Sequence, residues 1–309
     1  MMREVKSKIK GMLGVVVFCM MLMPVMHPEA QTVVMDEQAL NEALAGTETE
    51  IVLGTDITTT APIDVQRDVT IDGTEQFGII ANYAGGGGNK SILTAHPGVT
   101  LTLKDIVLSD SPKYGVQAYN GGTVVLDGVR IQNSNFGAAL VNGGGTIIVK
   151  DLTLWDNNYG IEFGLGDHAT GTPSLIIDGT IDFTKQTKGD KLYVAPEDNV
   201  QAVNVETTAN APYQFTYADG VFTLTDNEGN VVATSNDVAN TEVNVTNEET
   251  TTPEEPTTDE PTTTPEEPAT DEVANPETAD NVLLYVALAV LGLGAAVVAT
   301  RKLAKNGAR

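Results

Sequence analysis

The chain has 309 residues, a formal charge of −25 and one cysteine. So acidic a chain lacks the basic surface that phosphate backbones require, which excludes nucleic acid as a partner. Cys19 lies in the N-terminal apolar run, so a processed chain would have no disulfide framework.

Arg3, Lys6, Lys8 and Lys10 precede an apolar stretch from Met12 to Met23 and a break at Pro24. This pattern predicts a secretory signal peptide over residues 1–30, cleaved near Ala30. Cys19 leaves a lipoprotein alternative open, although Val17 and Phe18 are not the small residues such a site uses. A short helix follows over 36–46. Asp36 suits its N-cap, Gly46 its end, and Leu40 and Leu44 share one face. It is placed to cap the first coil of a solenoid. An entry coil is expected over 50–65, with an excursion loop around 85–88.

The segment 100–164 reads as three rows. They begin Thr100-Leu-Thr-Leu-Lys-Asp, Thr123-Val-Val-Leu-Asp-Gly and Thr146-Ile-Ile-Val-Lys-Asp, each 23 positions after the last. Each row reaches an aromatic–glycine pair: Tyr114-Gly115, Phe136-Gly137, Tyr159-Gly160. Apolar residues alternate within the rows, at Leu101/Leu103, Ile106/Leu108 and Val116/Ala118 in the first. Aligning the aromatic pairs puts Ala138/Leu140 and Ile161/Phe163 on the inward side of the third strand. Three short strands per period, with no room for a helix, predict one turn of a parallel β-helix. Five or six coils are expected over 31–185, with the helix as N-terminal cap. A small β-meander, as a cap or separate module, is expected over 186–247.

Residues 248–274 repeat a Thr-Pro-Glu-Glu-Pro motif without Lys or Arg. That composition predicts a disordered, self-repelling stalk, reaching at most ~80 Å. The tail, 275–309, has three parts: Asn275-Pro276-Glu277-Thr278-Ala279, an uncharged apolar run over 282–299, and a basic end with Arg301, Lys302, Lys305 and Arg309. The run is long enough to be a transmembrane helix, and the basic end would stay cytoplasmic.

This tail resembles the cell-wall sorting signal of Gram-positive surface proteins. In that family a sortase cysteine attacks the threonine of a Leu-Pro-x-Thr-Gly motif and joins the protein to peptidoglycan. Pro276 and Thr278 match, whereas Asn275 and Ala279 replace leucine and glycine. The resemblance implies cleavage between Thr278 and Ala279, with sortase and peptidoglycan as partners. A simple C-terminal membrane anchor is the alternative. The coiled region resembles the pectate-lyase-like adhesive domains of such proteins. It implies an all-β, short right-handed parallel β-helix, displayed at the cell surface for adhesion or scaffolding.

The same fold hosts polysaccharide lyases and hydrolases, whose chemistry needs converging carboxylates. Asp72, Lys104, Asp127, Lys150 and Asp178 form one outward column, and Gly73, Asp105, Gly128, Asp151 and Gly179 the next. Charges alternating in sign specify register rather than a catalytic cluster. Asp110, Asn133 and Asp156 form a corner column, a weak Ca²⁺ candidate beside Ser111, Ser134 and Asn157. Arg130 faces outward with no acid pair in its columns, and His96 and His168 stand singly in loops. Ligand-binding candidates are Trp155, Tyr114 and Tyr159, with Gln117 and Glu162 on the outward phase of the third strand. The expected ligand is an extracellular glycan or a host or neighbour-cell protein, without catalysis and without an obligatory cofactor. A purely structural rod, packing Trp155 and the aromatic column against its own chain, is the other reading. Thr278→Ala is expected to leave the protein unlinked to wall fragments released by a muramidase, as seen by their co-migration on gels.

Overall fold

The structure is a computed structural model that describes residues 31–248 except 86, 87, 89, 167 and 168. The expected signal peptide, residues 86 and 87 of the 85–88 excursion, His168, the stalk from 249 on, Asn275–Ala279 and the apolar run all lie outside the described residues. Among the described residues no helix is long and apolar enough to cross a membrane.

The chain is all-β over these residues and forms a parallel solenoid. Nine strands stack in its first row, from Gln31–Val34 to Glu242–Asn247, each paired in parallel with its neighbours. The third row stacks six, from Ile63–Val65 to Leu192–Val194. Period-two alternation puts Leu101, Val124, Ile147 and Leu175 in one buried inward column, and Leu108, Ile131 and Leu154 in another. Fully burying each such side chain contributes ~1.5–3 kcal/mol. The helix Glu37–Ala45 forms as expected, with the Asp36 carboxylate accepting the Ala39 N–H at 2.8 Å. It buries Leu40 and Ala43 in the same core.

Three expectations on register need correction. Parallel stacking does not end at 185. Strands Leu192–Val194, Ala202–Thr207 and Glu242–Asn247 continue it. Only the antiparallel sheet Tyr213–Ala218, Val221–Asp226 and Val231–Thr234 departs, as an insertion that drives Phe215 and Phe222 into the core. Phe222 meets Phe163 edge-on at 5.8 Å. The third-row step from Gly137 to Tyr159 is 22 residues rather than 23. Ala139 and Val141, not Ala138 and Leu140, therefore pair with Ile161 and Phe163, and Leu140 joins the outward column of Gln117 and Glu162. Finally, an extra residue between Val149 and Asp151's partners aligns Asp151 with Thr180 instead of Gly179. Asp178 accepts from Thr208 Oγ1 at 2.6 Å and Asn210 Nδ2 at 2.9 Å, bonds that with the nearby Lys150 charge hold its carboxyl below the usual range.

The rest of the charge column keeps its register. Lys104 Nζ lies 2.7 Å from the buried Asp72 and 3.5 Å from its neighbour Asp105. Lys150 lies 4.0 Å from Asp127. These exposed lysines contribute little stability individually, about 0–1 kcal/mol each.

Buried corners need polar partners for their backbone groups. Asn157 provides them. Its Oδ1 accepts the Ser134 N–H, and its Nδ2 donates to the Ile131 carbonyl and to Gln186 Oε1. Gln186 returns a bond to the Asn157 carbonyl. Asn157→Ala is expected to lower the unfolding free energy by roughly 3 kcal/mol, because it strands several buried groups. The exposed Asn135→Ala should change it by less than ~0.5 kcal/mol in the same denaturant titration.

Candidate functional site

The outward face of the second row carries a cleft of about 410 Å³. Alternation directs Ile131 and Leu154 inward, so Arg130, Gln132, Thr153 and Trp155 face out. Trp155 is 40% exposed at the end of the strand Thr146–Trp155. The Arg130 guanidinium lies 5.8 Å from its ring centroid, and Lys185 Nζ lies 6.0 Å from it. Two cations thus flank one indole, each contact contributing ~0.5–1 kcal/mol where exposed. Among the described residues no carboxylate forms an ion pair with either cation. Arg130 Nε is buried without a hydrogen-bond partner.

The acids of this cleft are Glu75, Asp105, Asp151 and Asp182. Asp105 and Asp151 belong to the corner column beside Arg130's own, and Asp182 reaches Arg130's column through Thr153. Asp182 and Lys185 enter through a register shift: Thr153 pairs with Asp182, but Trp155 pairs with Lys185. The extra residue turns Lys185 onto the indole. A second cleft of about 650 Å³ shares Asp182 and extends to the turn around Glu228. There Lys191 Nζ donates to the Val232 carbonyl at 2.7 Å and sits 5.6 Å from the Phe183 ring.

The third-row candidates are placed differently. Tyr114, Gln117 and Glu162 are buried, at 3%, 4% and 5% exposure. Outward phase along a strand does not mean exposure here, because the corner tyrosine folds back over the face. In register Tyr114 stands beside Gly137 and then Tyr159, while Phe136 is one residue off. Gly137 has no side chain; a Cβ there would lie 3.1 Å from Tyr114 Cδ1. The ring crosses that space, and its hydroxyl donates to Glu162 Oε1 at 2.7 Å. Gln117 accepts from Ser91 Oγ at 3.2 Å. Tyr159 is half-buried and stacks on Tyr193 at 4.4 Å and 11°. Of the five ligand candidates, Trp155 is the exposed one, and only Trp155 lines the cleft.

Burial pushes the Glu162 carboxyl up to about 7, with Asp198 and Glu197 adding to the rise and the Tyr114 hydroxyl opposing it. Its Oε2 is buried without a partner. Burial, and then the Glu162 charge, push the Tyr114 phenol far above its ordinary range.

At the corner, Asp110, Asn133 and Asp156 adopt φ of 61°, 57° and 52°. Asn and Asp tolerate this left-handed conformation better than other side chains, which explains the column. Asn133 Nδ2 donates to Asp110 Oδ1 at 3.2 Å, and Asp156 Oδ1 accepts from Thr187 at 3.0 Å. Among the described residues no group of three or more His, Cys, Asp or Glu is placed to hold a metal ion. His96 Nε2 lies 3.0 Å from Asp64 Oδ1.

No family model, curated protein or solved structure matches the chain.

Glu162 yields a pH prediction. Its carboxyl holds a proton more tightly in the folded chain, near 7, than at its ordinary 4.5. Folding therefore takes up a proton between these values. The contribution of Glu162 to stability is greatest below pH ~4.5, falls by up to about 3 kcal/mol as pH rises to ~7, and is level above that. Glu162→Gln keeps an acceptor for the Tyr114 hydroxyl. It should flatten that slope and stabilise the protein at pH 8, as read from denaturation midpoints at pH 4.5 and 8.

Proposed function

We propose that this protein is a secreted surface adhesin or scaffold of a Gram-positive bacterium, anchored to the cell wall through Asn275–Ala279. On this reading 1–30 is a signal peptide, 248–274 a stalk, and 282–299 a transmembrane helix used before a sortase joins Thr278 to peptidoglycan. The solenoid is a right-handed parallel β-helix of the pectate-lyase-like kind, and the helix Glu37–Ala45 is its N-terminal cap. It is non-enzymatic and binds an extracellular glycan or a host or neighbour-cell protein.

The observation that carries the binding reading is Trp155. A tryptophan 40% exposed, flanked by two cations that lack carboxylate partners, offers a stacking face and free donors in one cleft. The same side chain would be a poor choice for a purely structural rod, which gains nothing from leaving an indole in water.

A second reading is a polysaccharide lyase or hydrolase. Arg130 favours it, since an unpaired guanidinium facing four carboxylates is a possible acid–base arrangement. Two tests separate the readings. With acidic polysaccharides and Ca²⁺ the protein is expected to release neither unsaturated nor new reducing ends; turnover lost in Arg130→Ala would establish the enzyme instead. On an array of glycans and host proteins, a signal is expected that Trp155→Ala abolishes. A blank array would leave the structural rod.

A further inference from the structure

The two clefts share Asp182, one on the second row and the other between that row's end and the inserted sheet. Each has the volume of an ordinary small-ligand site, within ~300–1,000 Å³. Together they offer a platform and its extension rather than a single closed pocket. The charges along them decide which ligand fits.

Around Trp155, four carboxylates face two cations. In the extension, Asp182, Asp226 and Glu228 face Lys191, whose ammonium is already engaged by the Val232 carbonyl. Carboxylates are in excess in both, within a chain of charge −25. A polyanion would be drawn to Arg130 and Lys185 at the indole but would meet repulsion from the acids along the rest of the path. A polycation would be drawn to the acids but would meet Arg130 and Lys185 at the indole, the one aromatic platform of the cleft. An uncharged sugar avoids both penalties. Its hydroxyl protons can be accepted by Asp151 and Asp182, its oxygens can accept from Arg130 and Lys185, and its C–H face can stack on Trp155.

We infer that the joined clefts bind an uncharged linear oligosaccharide, with Trp155 as the stacking platform and Asp182 as the shared acceptor between the two halves. This rests on the reading of the Trp155 cleft as a binding site and narrows its ligand to neutral glycans longer than one or two sugars.

Trp155 is the chain's one tryptophan, so intrinsic fluorescence reports this site directly. The full chain would be titrated with cellohexaose, xylohexaose and maltohexaose, with the corresponding disaccharides, with hexagalacturonate and with a chitosan hexamer. At least one neutral hexamer should change the emission saturably and bind at least tenfold more tightly than its disaccharide. Asp182→Asn should erase most of that length advantage, and Trp155→Ala should abolish binding in calorimetry; circular dichroism checks that both variants fold. Tighter binding of hexagalacturonate or chitosan than of every neutral hexamer would overturn the charge argument but leave a glycan site. No response to any sugar would overturn the glycan site itself.

Discussion

Every inward side chain of this solenoid is sealed by the coil before it and the coil after it. A single coil of three short strands has no opposite layer of its own, so its apolar face stays wet until neighbours stack. Backbone hydrogen bonds between coils impose the spacing, and the side-chain period of two fixes which residues are sealed. The buried columns through Leu101, Val124 and Ile147 follow directly. The helix Glu37–Ala45 adds Leu40 to this core, and the inserted antiparallel sheet adds Phe215 and Phe222.

The same stacking makes polar groups at the corners costly unless they bridge coils. Asn157 and Gln186 tie three levels together through main-chain groups. The positive-φ corner column Asp110, Asn133, Asp156 recurs because left-handed backbone at a tight turn favours Asn and Asp. Glu162 is one of the buried groups left incompletely paired. It is held under Tyr114, with one oxygen satisfied and the other not. A buried carboxyl that keeps its proton to about pH 7 can sit there without an unpaired charge.

The Trp155 cleft lies where this regularity breaks. The register shift between Thr153 and Trp155 sets Lys185 against the indole, and neighbouring coils supply the carboxylates of Glu75, Asp105, Asp151 and Asp182. A perfectly periodic rod would present the same side chain at each level. The irregular coil presents an aromatic face, donors and acceptors within one cleft.

Much of the fold was legible in the residues themselves. The 23-residue spacing of Thr100, Thr123 and Thr146, with apolar alternation, was enough for parallel strands, the inward columns and the pairing of Asp72 with Lys104. These are local properties: period and alternation act within a few residues, and hydrogen bonds between coils repeat them. What only tertiary structure decided depends on single-residue slips and on what folds over what. A 22-residue step at Gly137 exchanged Leu140 for Val141 in the core. An inserted hairpin concealed that the strands at 202–207 and 242–247 continue the stack. The phase of Gln117 and Glu162 along the strand was right for the outward side, yet Tyr114 crosses the side-chain-free Gly137 and covers them. Alternation tells which side of a strand a residue takes; only packing between distant coils tells whether that side meets water.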